Sequence, residues 1–276
     1  MPSDPPSTGA SWIRRNRRCR DARLRLLCLP HAGGTASFHN SWASWLPDGT
    51  DLLSVQYPGR QDRISEPCVS TMDDLAPRVV QALQPHLDDD SPLVLFGHSM
   101  GAWVAFEVAR LLEMSWGRRP AGLIVSAQIP PHLPPEREWP GESDDELIAE
   151  LRRAGGAYTD PMLQPGLRDL VLPSVRADFR LVRDYSPQPL RRISTPITAL
   201  AGVDDAGVPW NRVAEWKDAT TGTFASHTFP GGHFYLLEHE QEFAGEVNRA
   251  IHRMAGNSAR HSRTGQLPTV GQPGRQ

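Results

Sequence analysis

The chain has 276 residues, a formal net charge of −3 and 39% hydrophobic residues, which suits one large α/β domain or two small ones with a substantial core. The charge balance gives no argument for binding nucleic acid, and no apolar run approaches the length of a transmembrane span. The three cysteines lack paired spacing, so they predict neither a disulfide framework nor a metal site, and they favour a reducing, cytoplasmic compartment.

The two ends of the chain differ in composition from its middle. Residues 1–20 are rich in Pro, Ser and Arg and predict a flexible lead. Residues 256–276 lack apolar periodicity and predict a disordered tail. Residues 21–255 are therefore expected to form the folded domain.

Strand-like apolar runs alternate with helical stretches through this domain. The alternation predicts an α/β fold, with a mainly parallel sheet covered by helices on both faces. In such sheets ligands bind beyond the carboxyl ends of the strands. The predicted strands are Leu24–Leu29, Leu52–Tyr57, Leu93–Phe96, Gly122–Ser126, Ile197–Ala201 and Phe224–Phe229.

The third predicted strand leads directly into Gly97-His98-Ser99-Met100-Gly101, and a good helix former follows. Strand, Gly-x-Ser-x-Gly and helix in this order are typical of the nucleophile elbow of an α/β-hydrolase fold. The serine lies on a strained turn, so a side chain two positions away on either side would collide with it. The helix N-terminus behind the hydroxyl favours negative charge. Ser99 is therefore the candidate nucleophile.

The alternation is interrupted at about residues 128–188. A proline-rich segment is followed by helical patterns at Asp144–Ala154 and Leu167–Tyr185, the second broken near Pro173. This is more helix than one crossover of roughly a dozen residues requires. We expect a helical lid inserted between two strands of the sheet, with ordinary crossover helices as the alternative.

A serine nucleophile needs a base, and in this fold the chain order is serine, acid, histidine. His233 follows the last predicted strand in the segment Pro230–Phe234, whose two glycines would let the loop carry the imidazole over the sheet. His227 lies inside the strand pattern, and His239 lies in a helix-like segment. His233 is therefore the candidate base, and a surface loop histidine is the alternative.

The acid is expected after the preceding strand, where Gly202 is followed by Val203, Asp204 and Asp205. Hydrolases of this fold often place the acid three residues after a glycine at the strand end. That spacing selects Asp205, with Asp204 as the second candidate. The carboxylate would accept a hydrogen bond from His233 and stabilise the imidazolium.

The oxyanion of acyl transfer needs preorganised N–H donors. One is expected from Met100, directly after the nucleophile, and the other from residues 30–34, named here the oxyanion loop. We choose the Ala32 amide as the second donor. His31 in the same loop is expected to be a structural imidazole, with an acid or base role as the alternative.

Together these segments resemble the type II thioesterases that accompany modular polyketide synthases and nonribosomal peptide synthetases. The resemblance spans roughly residues 12–255. The family usually has a proline directly after the acid and often an acidic residue two positions before it, where this chain has Ala206 and Val203. The segments that carry the resemblance are Pro30–Gly34, Gln56–Arg63, Gly97–Ala102, Leu172–Phe179 and Gly231–Leu236.

The resemblance implies a hydrolase that removes short or aberrant acyl groups from the phosphopantetheine arm of acyl or peptidyl carrier proteins in secondary-metabolite biosynthesis. It implies a Ser-His-Asp acyl-enzyme mechanism without a cofactor. We expect a monomer with no nucleic-acid or membrane partner. The alternatives are an acyl-CoA thioesterase or carboxylesterase of the same fold, and a non-catalytic protein that docks on synthase modules.

Two further residues are candidates for substrate binding. Trp103, with Met100, is expected to line an apolar acyl chamber beneath the lid, with simple core packing as the alternative. Arg60 follows the second predicted strand and is a candidate for contact with the phosphate of the pantetheine arm, with a buried salt bridge as the alternative.

Overall fold

The computed structural model describes residues 12–264, with gaps at 88, 90, 135–140, 142, 156–163, 165 and 188. The strands are β1 (Ile13–Arg17), β2 (Leu24–Leu29), β3 (Thr50–Val55), β4 (Leu93–His98), β5 (Gly122–Ser126), β6 (Ile197–Gly202) and β7 (Phe224–Phe229). The helices are α1 (Met72–Leu83), α2 (Met100–Trp116), α3 (Asp144–Gly155), α4 (Arg168–Asp184), α5 (Trp210–Val213), α6 (Tyr235–Glu238) and α7 (Glu240–Thr264).

These strands form one sheet in the order β1-β3-β2-β4-β5-β6-β7, in which β1 is antiparallel to β3 and the other neighbours are parallel. All the predicted strands are present, and β3 is shifted toward the N-terminus. One face of the sheet packs on α1 and α2, and the other packs on α7 and the 3₁₀ turn Ala36–Ser44. The chain therefore has the predicted α/β-hydrolase fold.

Strand β1 corrects the prediction of a flexible lead over residues 1–20. Ile13 pairs with Val55 at the edge of the sheet, and Trp12 is buried beneath the guanidinium of Arg63. Arg15 donates to the buried carboxylate of Asp51. Arg15 and Arg17 thus contact residues of the folded domain, while residues 1–11 lie outside the described part of the chain.

Helix α7 corrects the predicted start of the disordered tail at residue 256, because it continues to Thr264. Each residue added to an existing helix gains a backbone hydrogen bond, so a helix can extend past its last apolar contact. No proline interrupts the segment, and Gly265, a residue type common directly after helices, comes next. Residues 265–276 lie outside the described residues.

Helices α3 and α4 lie between β5 and β6, where the sequence predicts a helical insertion. They pack on each other through Leu147, Ile148 and Leu172. Helix α4 runs through Pro173 without the predicted break. A proline inside a helix costs about 3 kcal/mol, and burial of Leu172 and Val175 on either side of it offsets that cost.

No helix in the described ranges combines the length and the apolar character that crossing a membrane would require.

Candidate active site

Ser99 lies between the last residue of β4 and the first residue of α2, in a backbone conformation that non-glycine residues rarely adopt. Its φ is 54° and its ψ is −124°. Such a conformation costs on the order of 1–3 kcal/mol and persists only where the surrounding structure fixes it. Here the Ser99 amide donates to the carbonyl oxygen of Ser126 at the end of β5, at 2.8 Å. The side chain is half-buried, at the carboxyl ends of the parallel strands.

The two glycines of the elbow have no room for a side chain. A Cβ atom at Gly97 would lie 2.0 Å from the carbonyl oxygen of Gly101, and one at Gly101 would lie 2.0 Å from that of Leu29. Both distances are far below any van der Waals contact. The collision that the sequence predicts at these positions is therefore present, and it involves backbone atoms, which shift less readily than the end of a side chain.

His233 and Asp205 are in direct contact. The imidazole Nδ1 lies 2.6 Å from Asp205 Oδ2, and Asp205 Oδ1 accepts from the Gly207 amide at 3.0 Å. Burial acts to raise the pKa of Asp205, but the hydrogen bond and charge of His233, the Gly207 amide and the charge of Arg153 bring it below its ordinary value. A carboxylate at Nδ1 leaves Nε2 as the nitrogen that can take a proton from a nucleophile.

Asp204, the second candidate for the acid, has a different environment. Its side chain is exposed and accepts from the Gly231 amide at 3.2 Å, while its own amide donates to the Gly231 carbonyl at 3.0 Å. Gly231 has a φ of 95°, which favours glycine. Asp204 thus ties the loop after β6 to the loop that carries His233, and Asp205 makes the contact with the imidazole.

The oxyanion loop runs close to the elbow, since Gly101 packs on Leu29 and Pro30. Its Gly33 amide donates to Asp178 and its Gly34 amide donates to the His31 carbonyl. Within the described part of the chain, the amides of Ala32 and Met100 donate to no other residue. Both predicted donors are therefore available to a ligand, and Met100 also opens α2, where helix amides have no internal partner.

His31 is buried among aromatic rings. Its ring centroid lies 4.8 Å from that of Phe38 and 5.0 Å from that of Phe234, both edge to face. Burial, followed by the charges of His233 and Arg60, lowers the pKa of His31 to about 3. The imidazole is therefore neutral at physiological pH, and it is too weak a base to act as a second general base beside His233.

A buried hydrogen-bond chain that the sequence analysis missed connects the elbow to residues 230–235, which carry His233 and are named here the histidine loop. His98 Nδ1 lies 2.9 Å from Ser126 Oγ, and Ser126 Oγ lies 2.6 Å from the hydroxyl of Tyr235. The His98 and His233 ring centroids are 5.1 Å apart. His98 occupies a variable position of the Gly-x-Ser-x-Gly pattern, and the three partners are far apart in sequence, so no local pattern signals this chain.

Arg60 and Trp103, the two further candidates for substrate binding, lie in environments that differ from those predicted for contact with substrate. Arg60 is buried in a bidentate ion pair with Asp178. Its Nη1 lies 2.7 Å from Oδ2 and its Nη2 lies 2.9 Å from Oδ1. This is the salt bridge named as the alternative, and Arg60 also lines the cleft beside the oxyanion loop. Trp103 is 4% exposed and its Nε1 donates to the Ile129 carbonyl at 2.7 Å. Its surroundings correspond to core packing, the other alternative.

A cleft of about 390 Å³ opens beside the oxyanion loop. Its walls are that loop with the 3₁₀ turn after it, residues 60–64 in the segment after β3, and helix α4. The residues that combine apolar and backbone surface there include Gly33, Phe38, Ile64, Leu170 and Val171. A ligand that carries both apolar and amide groups would suit this lining.

Comparison with known proteins identifies the family of this chain. The model of the thioesterase domain family matches residues 24–254. Thioesterase PikA5 of Streptomyces venezuelae is 41% identical over 258 residues, covering 94% of this chain and 91% of that protein. The type II thioesterase BorB of the borrelidin cluster has a TM-score of 0.76 and 40% identity, covering 87% of this chain and 97% of BorB. RedJ, the thioesterase of the prodiginine pathway in Streptomyces coelicolor, has a TM-score of 0.77 and 36% identity, covering 83% and 90%.

Proposed function

Because the chain belongs to the thioesterase family and is thus a hydrolase of thioesters, we propose that it is a type II, editing thioesterase. It removes short or aberrant acyl groups from the phosphopantetheine arms of acyl or peptidyl carrier proteins. The observation that carries the proposal is the 2.6 Å contact between His233 and Asp205, beside an elbow that holds Ser99 strained. The names of BorB and YbtT, both type II thioesterases of biosynthetic clusters or pathways, support the choice of substrate.

The proposed reaction is acyl transfer through Ser99. Its Oγ attacks the thioester carbonyl carbon while His233 Nε2 takes the hydroxyl proton, and Asp205 stabilises the imidazolium that forms. The Ala32 and Met100 amides hold the oxyanion of the tetrahedral intermediate. The C–S bond then breaks, and His233 returns the proton to the departing pantetheine thiol. Water repeats the sequence on the acyl-serine and releases the acid.

A thiolate is a good leaving group, so formation of the acyl-serine is the easier half of the reaction. We expect hydrolysis of the oxygen ester to limit turnover. Rapid mixing should then show a burst of released thiol equal to the concentration of enzyme. A linear release of thiol from the first turnover would contradict this order of steps.

The proposed partners are the carrier proteins, which bring the substrate on their own prosthetic arm. The reaction uses only side chains and amides of this chain, so we propose that it proceeds without a cofactor or a metal ion. A monomeric state and a cytoplasmic location remain predictions.

Comparing three substrates with the same acyl group tests this assignment. We expect kcat/KM to be highest for acyl-carrier protein, lower for acyl-CoA and lowest for a nitrophenyl ester. Ser99→Ala should lower all three by at least about 10³-fold, whereas Ser44→Ala, at an exposed serine of the 3₁₀ turn, should change none. A preference for acyl-CoA or for the simple ester would favour the alternative enzymes of this fold. A Ser99→Ala strain that keeps full product formation would favour a docking protein.

A further inference from the structure

Asp178, on helix α4 of the insertion, contacts the oxyanion loop directly. Its Oδ2 accepts from the Gly33 amide at 2.7 Å and from Arg60 Nη1 at 2.7 Å, and its Oδ1 accepts from Arg60 Nη2 at 2.9 Å. Asp178 is 2% exposed. A buried carboxylate is therefore engaged through both oxygens, and one of its partners is the residue that follows the proposed oxyanion donor Ala32.

Arg60 is the second partner of Asp178, beside the Gly33 amide. It lies in the loop after β3, and its Nη1 also donates to the Gly34 carbonyl at 3.3 Å. Burial alone would lower the pKa of Arg60, but Asp178 raises it above its ordinary value, so the guanidinium stays charged. Three segments far apart in sequence thus meet at Gly33 and Gly34.

The oxyanion loop needs such a tether because of its own composition. Gly33 has a φ of 74°, and another glycine follows it. Adjacent glycines have more backbone conformations available than any other pair of residues. An oxyanion hole accelerates a reaction only when its donors are already oriented before the charge develops. Something outside the loop must therefore hold these peptide groups in place.

We infer that Asp178 is a positioning residue of the oxyanion hole. By holding the Gly33 amide and the Arg60 guanidinium, it fixes the peptide group directly after Ala32 and so restricts the orientation of the Ala32 N–H. Helix α4 must be docked for that donor to be in place, so the insertion completes the catalytic centre. This inference rests on the proposed hydrolysis of thioesters at Ser99.

Asp178→Asn tests the inference because it keeps the shape of the side chain and removes its charge. Removing one whole oxyanion donor costs about 10²–10³-fold in kcat, so we expect its misplacement to lower kcat by about 10- to 100-fold. Substrate binding in the ground state does not use this donor, so KM for a nitrophenyl thioester should change by less than about 2-fold. A rise in KM with kcat unchanged would overturn the inference.

Asp51→Asn is the matched control. Asp51 is fully buried near the amino end of β3, and it also accepts from one backbone amide, that of Cys19 at 2.6 Å, and from one guanidinium, that of Arg15 at 2.5 Å. We expect a comparable fall in Tm and no change in kcat of the folded protein. A fall in kcat matching that of Asp178→Asn would mean that any buried ion pair has this effect, and it would overturn the inference.

The double variant Arg60→Met with Asp178→Leu separates positioning from stability. Replacing both members of a buried ion pair by apolar side chains often restores stability, because no unpaired charge remains. We expect Tm to recover toward the wild-type value while kcat stays at least about 10-fold low, since the Gly33 amide still lacks its acceptor. Recovery of kcat together with Tm would overturn the inference, and this variant decides the matter if the single one folds poorly.

Ser99→Ala, measured first on the same thioester, keeps the two proposals apart. If it retains wild-type hydrolysis, the proposed function fails and the inference about Asp178 fails with it. If it abolishes hydrolysis and the Asp178 variants keep the wild-type kcat, the inference about Asp178 alone is wrong.

Discussion

The nucleophile elbow and the oxyanion loop serve the same proposed reaction, but they are held in place in different ways. The elbow is shaped in part by residues that adjoin it in sequence, since Gly97 faces the backbone of Gly101 only four positions away, although it also contacts the backbone of Leu29 and Ser126. The oxyanion loop is held by Asp178, which is 145 positions from Gly33 and 118 from Arg60. The elbow can therefore be recognised in a short sequence pattern, whereas the support of the loop becomes visible only in the folded chain.

The loops that carry the acid and the histidine, like the oxyanion loop, are held by contacts between residues that are distant in sequence. Asp204 bridges to Gly231 across 27 positions, and Asp205 reaches His233 across 28. Two adjacent carboxylates thus make two different long-range contacts. The difference between local and distant support can be tested at each part of the site.

The largest expected effect comes from Asp205→Asn. Loss of the carboxylate leaves His233 without the partner that stabilises imidazolium and fixes its tautomer, and the equivalent change in serine proteases lowers kcat by about 10⁴-fold. Asp204→Asn is the matched control, because an exposed amide oxygen can still accept from Gly231, and it should change kcat by less than about 2-fold. Steady-state kinetics on one thioester would measure both, and a larger loss in Asp204→Asn would reverse the assignment.

Gly101→Ala tests how far the elbow depends on its backbone packing against β2. Its new Cβ would lie 2.0 Å from the Leu29 carbonyl, so the elbow and β2 must move apart. We expect the free energy of unfolding to fall by about 3 kcal/mol or more, with loss of most activity. Gly245→Ala in α7 adds a Cβ whose nearest neighbour is 3.7 Å away, the end of the Arg249 side chain. There a gain of up to about 1 kcal/mol is expected, since alanine favours helix.

Urea unfolding of both glycine variants gives this comparison directly. A Gly101→Ala protein with wild-type stability would show that the backbone of the elbow has room to relax, and that its glycines are not required by packing.

The same distinction explains how much the sequence predicts. Strands β2 to β7, the elbow and a histidine after the last strand follow from short apolar runs and motifs, which depend on neighbouring residues. Spacing from Gly202 also selects Asp205, the aspartate that contacts His233 in the structure. Arg15 and Arg60 show the limit, because the charge of an arginine does not say whether it meets solvent, a phosphate or a buried carboxylate such as Asp51 or Asp178.

The buried imidazoles near the site predict a pH-dependent stability. Burial is the first cause that lowers the pKa of His31 and His39 to about 3, and it also lowers that of His98. Below the unfolded pKa of about 6.5, the unfolded chain binds protons that the folded chain does not. Stability is therefore full above about pH 6.5 and falls as the pH drops toward 3, by up to about 1.4 kcal/mol per pH unit for each histidine.

Urea unfolding at about pH 7.5 and about pH 5.5 measures this slope. His39→Leu should make it shallower by up to about 1.4 kcal/mol per pH unit, whatever its effect on the absolute stability. An equal slope in wild type and His39→Leu would mean that His39 takes up protons equally in the folded and unfolded chains, contrary to its burial against the rings of Phe38 and Trp42.

The smallest expected effect comes from Tyr235→Phe, at the chain of hydrogen bonds that joins the elbow to the histidine loop. The change removes the hydroxyl 2.6 Å from Ser126 Oγ, while His98 still contacts that oxygen at 2.9 Å. We expect a loss of about 1 kcal/mol in the free energy of unfolding, the usual worth of one hydrogen bond. Because the elbow is fixed by its own backbone and by the Ser126 carbonyl, kcat should stay within about 2-fold of wild type. If kcat instead fell by about 10-fold or more while KM stayed unchanged, the elbow, like the oxyanion loop, would depend on side-chain contacts distant in sequence.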